Sequence, residues 1–336
     1  MNHRLAAKAV FAALVFTPST AALSQPAAEP AAATEANAQD IVVVARRSGA
    51  PMWEVKRGGS TVLLVGEIVE VPKATPWFPQ QLEAATKQAN SVILGAKVSV
   101  SVGVIFKAMF KGGSIMNLPK GKTSGDYLSA DQERRLEALE KLYDKSYQRS
   151  NFFLSGYMLM RGGLKFQKET VDDASDVVRR MADKAGVAVR PVGTLKGGDL
   201  LNSLLAAQPE SHIGCLDAAM TAAEAGRDII EERGRAWTAF DIPSVMASPL
   251  ETALGSCWPW TDTRFGPELR AQWRGEIDAV LQKPGVTLAV VPLRILAEDG
   301  GVLDTLKAQQ LTIKGPVWRT PPAKAAPAPV AKTPAP

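Results

Sequence analysis

Histidine is almost absent from this chain of 336 residues, which carries only His3 and His212. A zinc site built on two histidines, such as the H-E-x-x-H helix, needs both imidazoles on one folded face. His3 lies in a segment that we interpret below as a cleaved leader, so the mature chain keeps one histidine. A Ser-His-Asp triad would depend on His212 alone, and the sequence suggests no base or nucleophile beside it. The composition therefore excludes much histidine-dependent hydrolytic chemistry.

A charge excess is also missing from the body of the chain. The formal net charge is +5, from 39 basic and 34 acidic residues. Two basic residues lie within residues 1–24 and three within residues 319–336, and the remaining 34 equal the 34 acidic residues. Proteins that bind nucleic acids cluster Lys and Arg because each contact neutralises a phosphate. We therefore expect no nucleic-acid partner.

No apolar run is long enough to cross a membrane. Residues 1–24 are predicted to be a secretory signal peptide, because Arg4 and Lys8 accompany a short apolar run at residues 9–16 and small residues follow at 22–24. This run falls far short of the roughly 20 residues that span a bilayer, and no later segment is apolar enough to cross one. We expect a periplasmic or secreted protein without a transmembrane segment.

The remaining ends are poor in residues that could be buried. Residues 25–40, rich in Ala, Pro and Glu, are predicted to be a disordered linker, and residues 319–336, made mostly of Pro, Ala and Lys, a disordered tail. Residues 41–318 are predicted to form the folded domain, since the 46% of hydrophobic residues in the chain is typical of globular proteins.

Only two cysteines are present, Cys215 and Cys257. In an exported protein such a pair is typical of a disulfide, which would contribute roughly 4 kcal/mol to the free energy of unfolding. Two ligands are too few for a structural zinc site. The alternative is a pair of buried free thiols.

What is present is an alternation of buried strands and helices. Apolar runs at residues 60–66 and 91–94 predict strands buried on both faces, and residues 80–90 between them have helical spacing, so we expect parallel pairing. Further helices are predicted at residues 170–185, 199–207, 216–233, 268–282 and 301–309, and further strands at 187–189, 287–291 and 311–313. The prediction is an α/β fold, with a central, largely parallel or mixed sheet flanked by helices and a helical insertion in the middle third.

Several local patterns occur in an order that resembles the TraB/GumN family. Trp53 precedes a strand that runs into a glycine turn and a proline at residues 66–72, and a strand at residues 190–196 runs into another turn. Trp273 then lies on a helix before a strand and Gly-rich turn at residues 290–303. The family includes plasmid pheromone-shutdown proteins and the Wnt-inactivating Tiki metalloproteases. The resemblance implies an α/β fold similar to that of EreA and ChaN, and a divalent metal that activates water for peptide hydrolysis.

The chain departs from this family at the positions of the metal ligands. The first G-x-x-H motif begins at Gly66 but ends at Val69, and Arg294 occupies the place of the second histidine. Gly95 and Lys196 stand where the family has glutamates. Valine and glycine side chains donate no electron pair, and cationic Arg and Lys repel a metal. We therefore predict that the metal site has been lost, with no bound metal and no cofactor.

Charged residues near these positions suggest a replacement pocket. Glu67 and Glu70 flank the first lost histidine, and Lys97, Lys196 and Arg294 follow other strands. Because α/β folds form ligand clefts at the carboxyl ends of their strands, these side chains are expected to meet there and bind an anion or a carboxylate. The alternative is a structural salt bridge that fills the vacated site.

A second aromatic motif, Trp258-Pro259-Trp260, follows Cys257 directly. Flat aromatic faces suit carbohydrate stacking, but such a cluster also packs beside disulfides. Both interpretations stay open at this point.

Three functions are compatible with these features. The first is an exported binding or accessory pseudoenzyme of the periplasm, whose partner is a peptide, a protein or a small anionic ligand. The second is a hydrolase or peptidase with a rebuilt site based on Glu67 or Glu70. The third is a structural envelope protein tethered through its Pro/Ala-rich ends.

Overall fold

A mixed β-sheet forms the centre of the computed structural model, which describes residues 49–75, 77–166 and 170–320. The strands are β1 (Met52–Arg57), β2 (Ser60–Glu67), β3 (Val71–Pro72), β4 (Ser91–Leu94), β5 (Lys97–Ser99), β6 (Thr170–Val171), β7 (Ala188–Pro191), β8 (Thr194–Lys196), β9 (Gly285–Pro292) and β10 (Ile313–Lys314). Six of them form one sheet in the order β10-β1-β2-β9-β4-β7, while β3 pairs with β6 and β5 with β8.

The long strands β2 and β9 are parallel neighbours in the middle of this sheet. Their register runs from Ser60 opposite Gly285 to Glu67 opposite Pro292. Both strands are largely buried, which explains their continuous apolar runs. The predicted parallel arrangement of β2 and β4 is correct in direction, but the two strands do not pair with each other. Strand β9, from the C-terminal third, lies between them and pairs in parallel with both.

Helices cover the sheet and fill the middle of the sequence. They are α1 (Gln80–Gln88), α2 (Val102–Met116), α3 (Ala130–Tyr143), α4 (Phe152–Met158), α5 (Ala174–Ala185), α6 (Gly197–Ala206), α7 (Ile213–Ala225), α8 (Asp228–Thr238), α9 (Ile242–Ala247), α10 (Pro249–Ser256), α11 (Phe265–Leu281), α12 (Leu293–Ala297) and α13 (Val302–Ala308). A π-helical turn at Leu159–Gly163 follows α4. This architecture confirms the predicted α/β fold.

Two predicted helices have different bounds because capping residues interrupt them. The helix predicted at residues 170–185 begins at Ala174, since Asp173 is its N-cap and accepts a hydrogen bond from the Asp176 backbone N–H at 3.1 Å. The helix predicted at residues 216–233 is two helices, α7 and α8. Gly226 separates them with a φ of 84°, a backbone conformation that glycine adopts without steric cost.

Apolar residues form one large core around the sheet and a second core within the mostly helical chain between β5 and α11, which we call the helical segment. The first includes Trp53, Leu64 and Trp273. The second joins α3, α4, α7 and α10, and it contains both cysteines. Cys215 and Cys257 lie at disulfide-bonding distance, with Cα atoms 4.5 Å apart. The pair therefore links the start of α7 to the residue after α10.

The predicted signal peptide and linker, and the tail from residue 321 onward, lie outside the described residues and stay predictions. Arg319, which the sequence assigns to the tail, is bound to the domain: its Nη1 donates to the Ala297 carbonyl oxygen at 2.6 Å, and its guanidinium pairs with Asp304. Within residues 49–75, 77–166 and 170–320, no helix is both long and apolar enough to span a bilayer.

Candidate functional site

A cavity of about 310 Å³ lies where β2 and β9 end. Because these strands are parallel and end together, both chains leave the sheet at the same edge. Val69 follows β2, and Arg294 lies at the start of α12 after β9, and both line the cavity. The helical segment closes the space with apolar and aromatic side chains: Phe153, Tyr157, Met160, Leu254, Trp258 and Trp260.

Three buried charged residues form the base of this cavity. The Glu251 carboxylate on α10 accepts a hydrogen bond at Oε2 from Arg233 Nε at 2.9 Å, and Arg233 Nη2 forms an ion pair with the same oxygen at 2.7 Å. Its other oxygen, Oε1, accepts from Arg294 Nη2, which also donates to the Glu251 carbonyl oxygen at 2.8 Å. The Glu251 and Arg233 side chains are only 6% and 2% exposed. We call Arg233, Glu251 and Arg294 the buried charge cluster.

The electrostatics of the buried charge cluster favour ionised Glu251. Burial alone would raise the pKa of this carboxyl, but the two adjacent guanidinium groups outweigh burial and lower it. Two positive charges thus share one negative charge. The cluster carries a net charge of about +1 at neutral pH.

The guanidinium of Arg294 is fixed from two further sides. A Cβ atom at Gly255 on α10 would overlap Arg294 Nη1, so the absent side chain makes room for the guanidinium. On another side, Arg294 Cζ lies 5.4 Å from the centre of the Trp260 ring, a cation–π contact. The orientation of this cation therefore depends on the helical segment as well as on β9.

Glu67, at the end of β2, is the remaining charged lining residue. Its Oε1 accepts a hydrogen bond from the Ser175 backbone N–H at 2.7 Å, near the start of α5. Burial, and then the negative charge of Asp173, raise the pKa of Glu67 to about 8. Burial raises the pKa of Asp173 as well. Glu67 is therefore mostly protonated at neutral pH and does not cancel the positive charge of the cluster.

The structure brings together only part of the residue set predicted from the sequence. Glu67, Val69 and Arg294 line the cavity. Gly66 lies beneath the cavity, and its carbonyl oxygen accepts a hydrogen bond from Trp237 Nε1 at 2.8 Å. A Cβ atom at Gly66 would lie only 2.7 Å from the Leu293 side chain, so a larger residue does not fit there. Both positions at which the resemblance predicts a histidine thus face one space.

The other predicted residues do not line the cavity. Lys97 and Lys196 are exposed on the separate two-stranded sheet formed by β5 and β8. Gly95 is exposed after β4, and Glu70 occupies a turn with a φ of 59°. Arg294 is paired with Glu251, which no pattern in the sequence connects to it.

Sequence reasoning missed Arg233 and Glu251 and recognised the tryptophans only as an open alternative. Arg233 and Glu251 lie on separate helices, and their pairing leaves no local motif. Trp258 and Trp260 follow the disulfide and also line the cavity, so they do more than pack beside Cys257. His212 is buried and does not line the cavity, and burial lowers its pKa.

The residues at the cavity do not fit a divalent metal. Val69 has no donor atom, and the buried cation of Arg294 repels a second cation. Among the residues that the structure describes, no group of three or more His, Cys, Asp or Glu side chains could hold a metal ion.

Comparison with known proteins places the chain in a family. The sequence pattern of the TraB/PrgY/gumN family matches residues 51–315. The chain belongs to this family. No curated protein and no solved structure gives a significant match. The matched region of this TraB/PrgY/gumN family member includes both strands that end at the cavity and all of the buried charge cluster.

Proposed function

We propose that this member of the TraB/PrgY/gumN family is an exported binding or accessory protein without metallohydrolase activity. Its strand-end cavity holds a small anionic ligand that has an apolar body, such as an aryl or alkyl carboxylate or the end of a peptide. The observation that carries this function is the buried guanidinium of Arg294, at the position where the family resemblance predicts a metal-binding histidine.

The available donors of Arg294 support anion binding. Its hydrogen bonds to other described residues both start from Nη2. A guanidinium has five N–H donors, so Nε provides a further donor for a carboxylate oxygen, while Nη1 is packed against Gly255. Hydrogen bonds between ionised partners are about twice as strong as those between neutral ones.

The net charge and the walls of the cavity support the same ligand class. The buried charge cluster has one uncompensated positive charge, while Glu67 is mostly neutral at pH 7. The walls are mainly aromatic and aliphatic, and they would surround the apolar part of a ligand. The volume of about 310 Å³ is at the lower end of the range of roughly 300–1,000 Å³ for small-molecule sites.

Export is supported by the leader-like pattern at residues 1–24 and by the cysteine pair at bonding distance, since disulfides persist in oxidising compartments. Cleavage of the leader is checked by mass spectrometry of protein recovered from the periplasm.

The test compares 4-phenylbutyrate with its neutral amide by isothermal titration calorimetry. We expect the acid to bind at least about tenfold more tightly, which corresponds to about 1.4 kcal/mol. Arg294→Gln should abolish this preference and leave binding of the amide unchanged. The variant still contains the Glu251–Arg233 pair, in which the two charges balance, so the fold is expected to persist. Arg134→Gln, at an exposed surface site, is the matched control.

Equal binding of acid and amide to the unmodified protein would contradict an anion site, as would undetectable binding of both. Retention of the acid preference in Arg294→Gln would show that another group provides the charge. Circular dichroism of each variant verifies folding.

One observation favours the second function, a hydrolase with a rebuilt carboxylate site. Glu67 lines the cavity with a pKa raised to about 8, close to the working pH that suits a general acid or base. Elemental mass spectrometry of tag-free protein and a peptide-cleavage assay test it. Cleavage that disappears in Glu67→Gln would establish the hydrolase and refute the binding function, and a stoichiometric divalent metal would contradict the loss of the metal site.

A further inference from the structure

Helix α2 presents an apolar stripe to solvent. Its exposed members are Val102, Ile105, Phe106, Met109, Phe110 and Met116. Phe110 is 84% exposed and Met109 is 73% exposed. Helical spacing places these six residues on one side of α2, because residues three or four positions apart share a face. We call them the α2 stripe.

The opposite face of α2 packs against the domain. Val104, Ala108, Gly112 and Ile115 are half-buried at spacings of three or four residues. A Cβ atom at Gly198, on α6, would lie 3.3 Å from Val104, so the two helices are in close contact. The helix is therefore attached along one face, and the α2 stripe points away from the protein. Soluble proteins seldom expose so many large apolar side chains in one patch without a binding partner.

The sequence around the α2 stripe has an excess of lysine, although Lys122 at its end forms an ion pair with Asp126. Residues 91–125 contain five lysines and no aspartate, glutamate or arginine: Lys97, Lys107, Lys111, Lys120 and Lys122. All five lysines are exposed. Lys107 and Lys111 lie one helical turn apart on α2, between the stripe and the face that packs against the domain, and Lys107 donates a hydrogen bond to Asn202 on α6. This local excess contrasts with the balanced charge of residues 25–318.

We propose that the α2 stripe docks on the surface of a lipid bilayer that contains anionic headgroups. A helix with phenylalanine and methionine on one face and lysine beside it has the composition of helices that lie in the bilayer interface. The apolar side chains enter the acyl boundary, while the lysines remain at the level of the phosphates, where each contributes about 1 kcal/mol of attraction. The absence of acidic residues from residues 91–125 fits a negative surface.

Charge is also the reason for choosing a bilayer over a second copy of the chain. Two copies paired through this helix would bring the same lysines together, with no carboxylate from residues 91–125 to offset them. No residue of the α2 stripe lines the cavity, so this proposal does not depend on the ligand proposed there.

The experiment measures flotation of the full chain with vesicles of phosphatidylcholine alone or of phosphatidylcholine and phosphatidylglycerol in equal parts. We expect stronger binding to the anionic vesicles. Phe106→Ser combined with Phe110→Ser should lower the partition coefficient about a hundredfold, because two phenyl groups no longer leave water. Lys111→Gln should weaken binding to anionic vesicles about fivefold and leave binding to neutral vesicles unchanged.

The matched control is Leu142→Ser combined with Val317→Ser, two exposed apolar residues outside α2. It should bind like the unmodified chain. Equal binding by the phenylalanine variant and the unmodified chain would overturn the proposal. It would assign vesicle binding to another segment of the full chain, such as the apolar run at residues 9–16. Absence of binding to anionic vesicles would overturn it too. A dimer in sedimentation velocity that the phenylalanine variant disrupts, without vesicle binding, would assign the α2 stripe to a second copy.

Discussion

Replacing Glu251 with glutamine should strongly destabilise the folded protein. The carboxylate of Glu251 is the negative charge of the buried charge cluster, and it accepts hydrogen bonds from both Arg233 and Arg294. Glutamine keeps the size of the side chain but leaves two buried guanidinium groups with no counter-charge. The cluster would change from a net charge of about +1 to about +2, while its side chains remain largely shielded from bulk water.

The magnitude follows from the burial of all three side chains, which are 2–11% exposed. Removing one partner of a buried ion pair typically costs about 3–5 kcal/mol. For a domain of this size, each kcal/mol lowers Tm by roughly 2–4 °C, so Glu251→Gln should lower Tm by about 6–20 °C. The assay is thermal unfolding followed by far-ultraviolet circular dichroism at pH 7.

An exposed ion pair provides the matched control. Glu224 accepts hydrogen bonds from Arg135 Nε at 2.7 Å and Nη2 at 2.8 Å, but its side chain is 39% exposed. Glu224→Gln should cost less than about 1 kcal/mol, because water and salt screen the pair. If Glu251→Gln lowered Tm no more than Glu224→Gln, the inference of a desolvated charge cluster would be refuted.

The effect of Glu251→Gln should also depend on pH in one direction. The arginines lower the pKa of Glu251 below 4.5, so its stabilisation is complete above pH 4.5 and is lost as the pH falls through the folded-state pKa. The difference in Tm between the variant and the unmodified protein should therefore be constant near neutrality and shrink in more acidic buffer. A difference that grew on acidification would contradict this assignment.

Three further predictions concern other contacts. Folding raises the pKa of Glu67 to about 8, so the unmodified protein should lose stability as the pH rises from about 4.5 to 8. Its Tm should therefore fall over this range relative to the Tm of Glu67→Gln. Parallel dependence of the two Tm values on pH would refute this prediction. Gly255→Ala should displace the Arg294 guanidinium and lower Tm. The control Gly275→Ala, at a helical position with open space around it, should raise Tm because alanine favours a helix. Equal shifts in Tm for the two variants would contradict the clash at Gly255. Cys215→Ala should lower the free energy of unfolding by roughly 4 kcal/mol in urea titrations, and an unchanged value would argue against a disulfide.

Much of the fold was predictable because burial of a strand on both faces is a local property of the sequence. The runs at residues 60–66 and 287–291 are apolar without alternation, and they became the central strands β2 and β9. The position of β9 between β2 and β4 was not predictable, since strand order depends on contacts between segments more than 200 residues apart. The division of residues 216–233 into two helices was visible in Gly226, but an isolated glycine within a helical pattern does not by itself mark a break.

The candidate site was predictable only at the strand ends. Glu67 ends strand β2, and Val69 and Arg294 follow strands β2 and β9. The parallel register of these strands brings the three residues to one cavity, and the sequence alone was sufficient to single them out. Lys97 and Lys196 were singled out by the same reasoning, yet short strands β5 and β8 carry them to a separate sheet.

The sequence by itself determined the long buried strands, the residues at their ends and the absence of metal-donor atoms at the expected ligand positions, because each is a property of a short segment. Only the tertiary structure decided the counter-ion and the burial of Arg294. Its counter-ion, Glu251, is 43 residues away on a helix of the middle segment, and Gly255 and Trp260 complete its surroundings. Packing of the helical segment over the strand ends buries these charges together. Ion pairing in the interior is set by that packing, and no local pattern of residues encodes it.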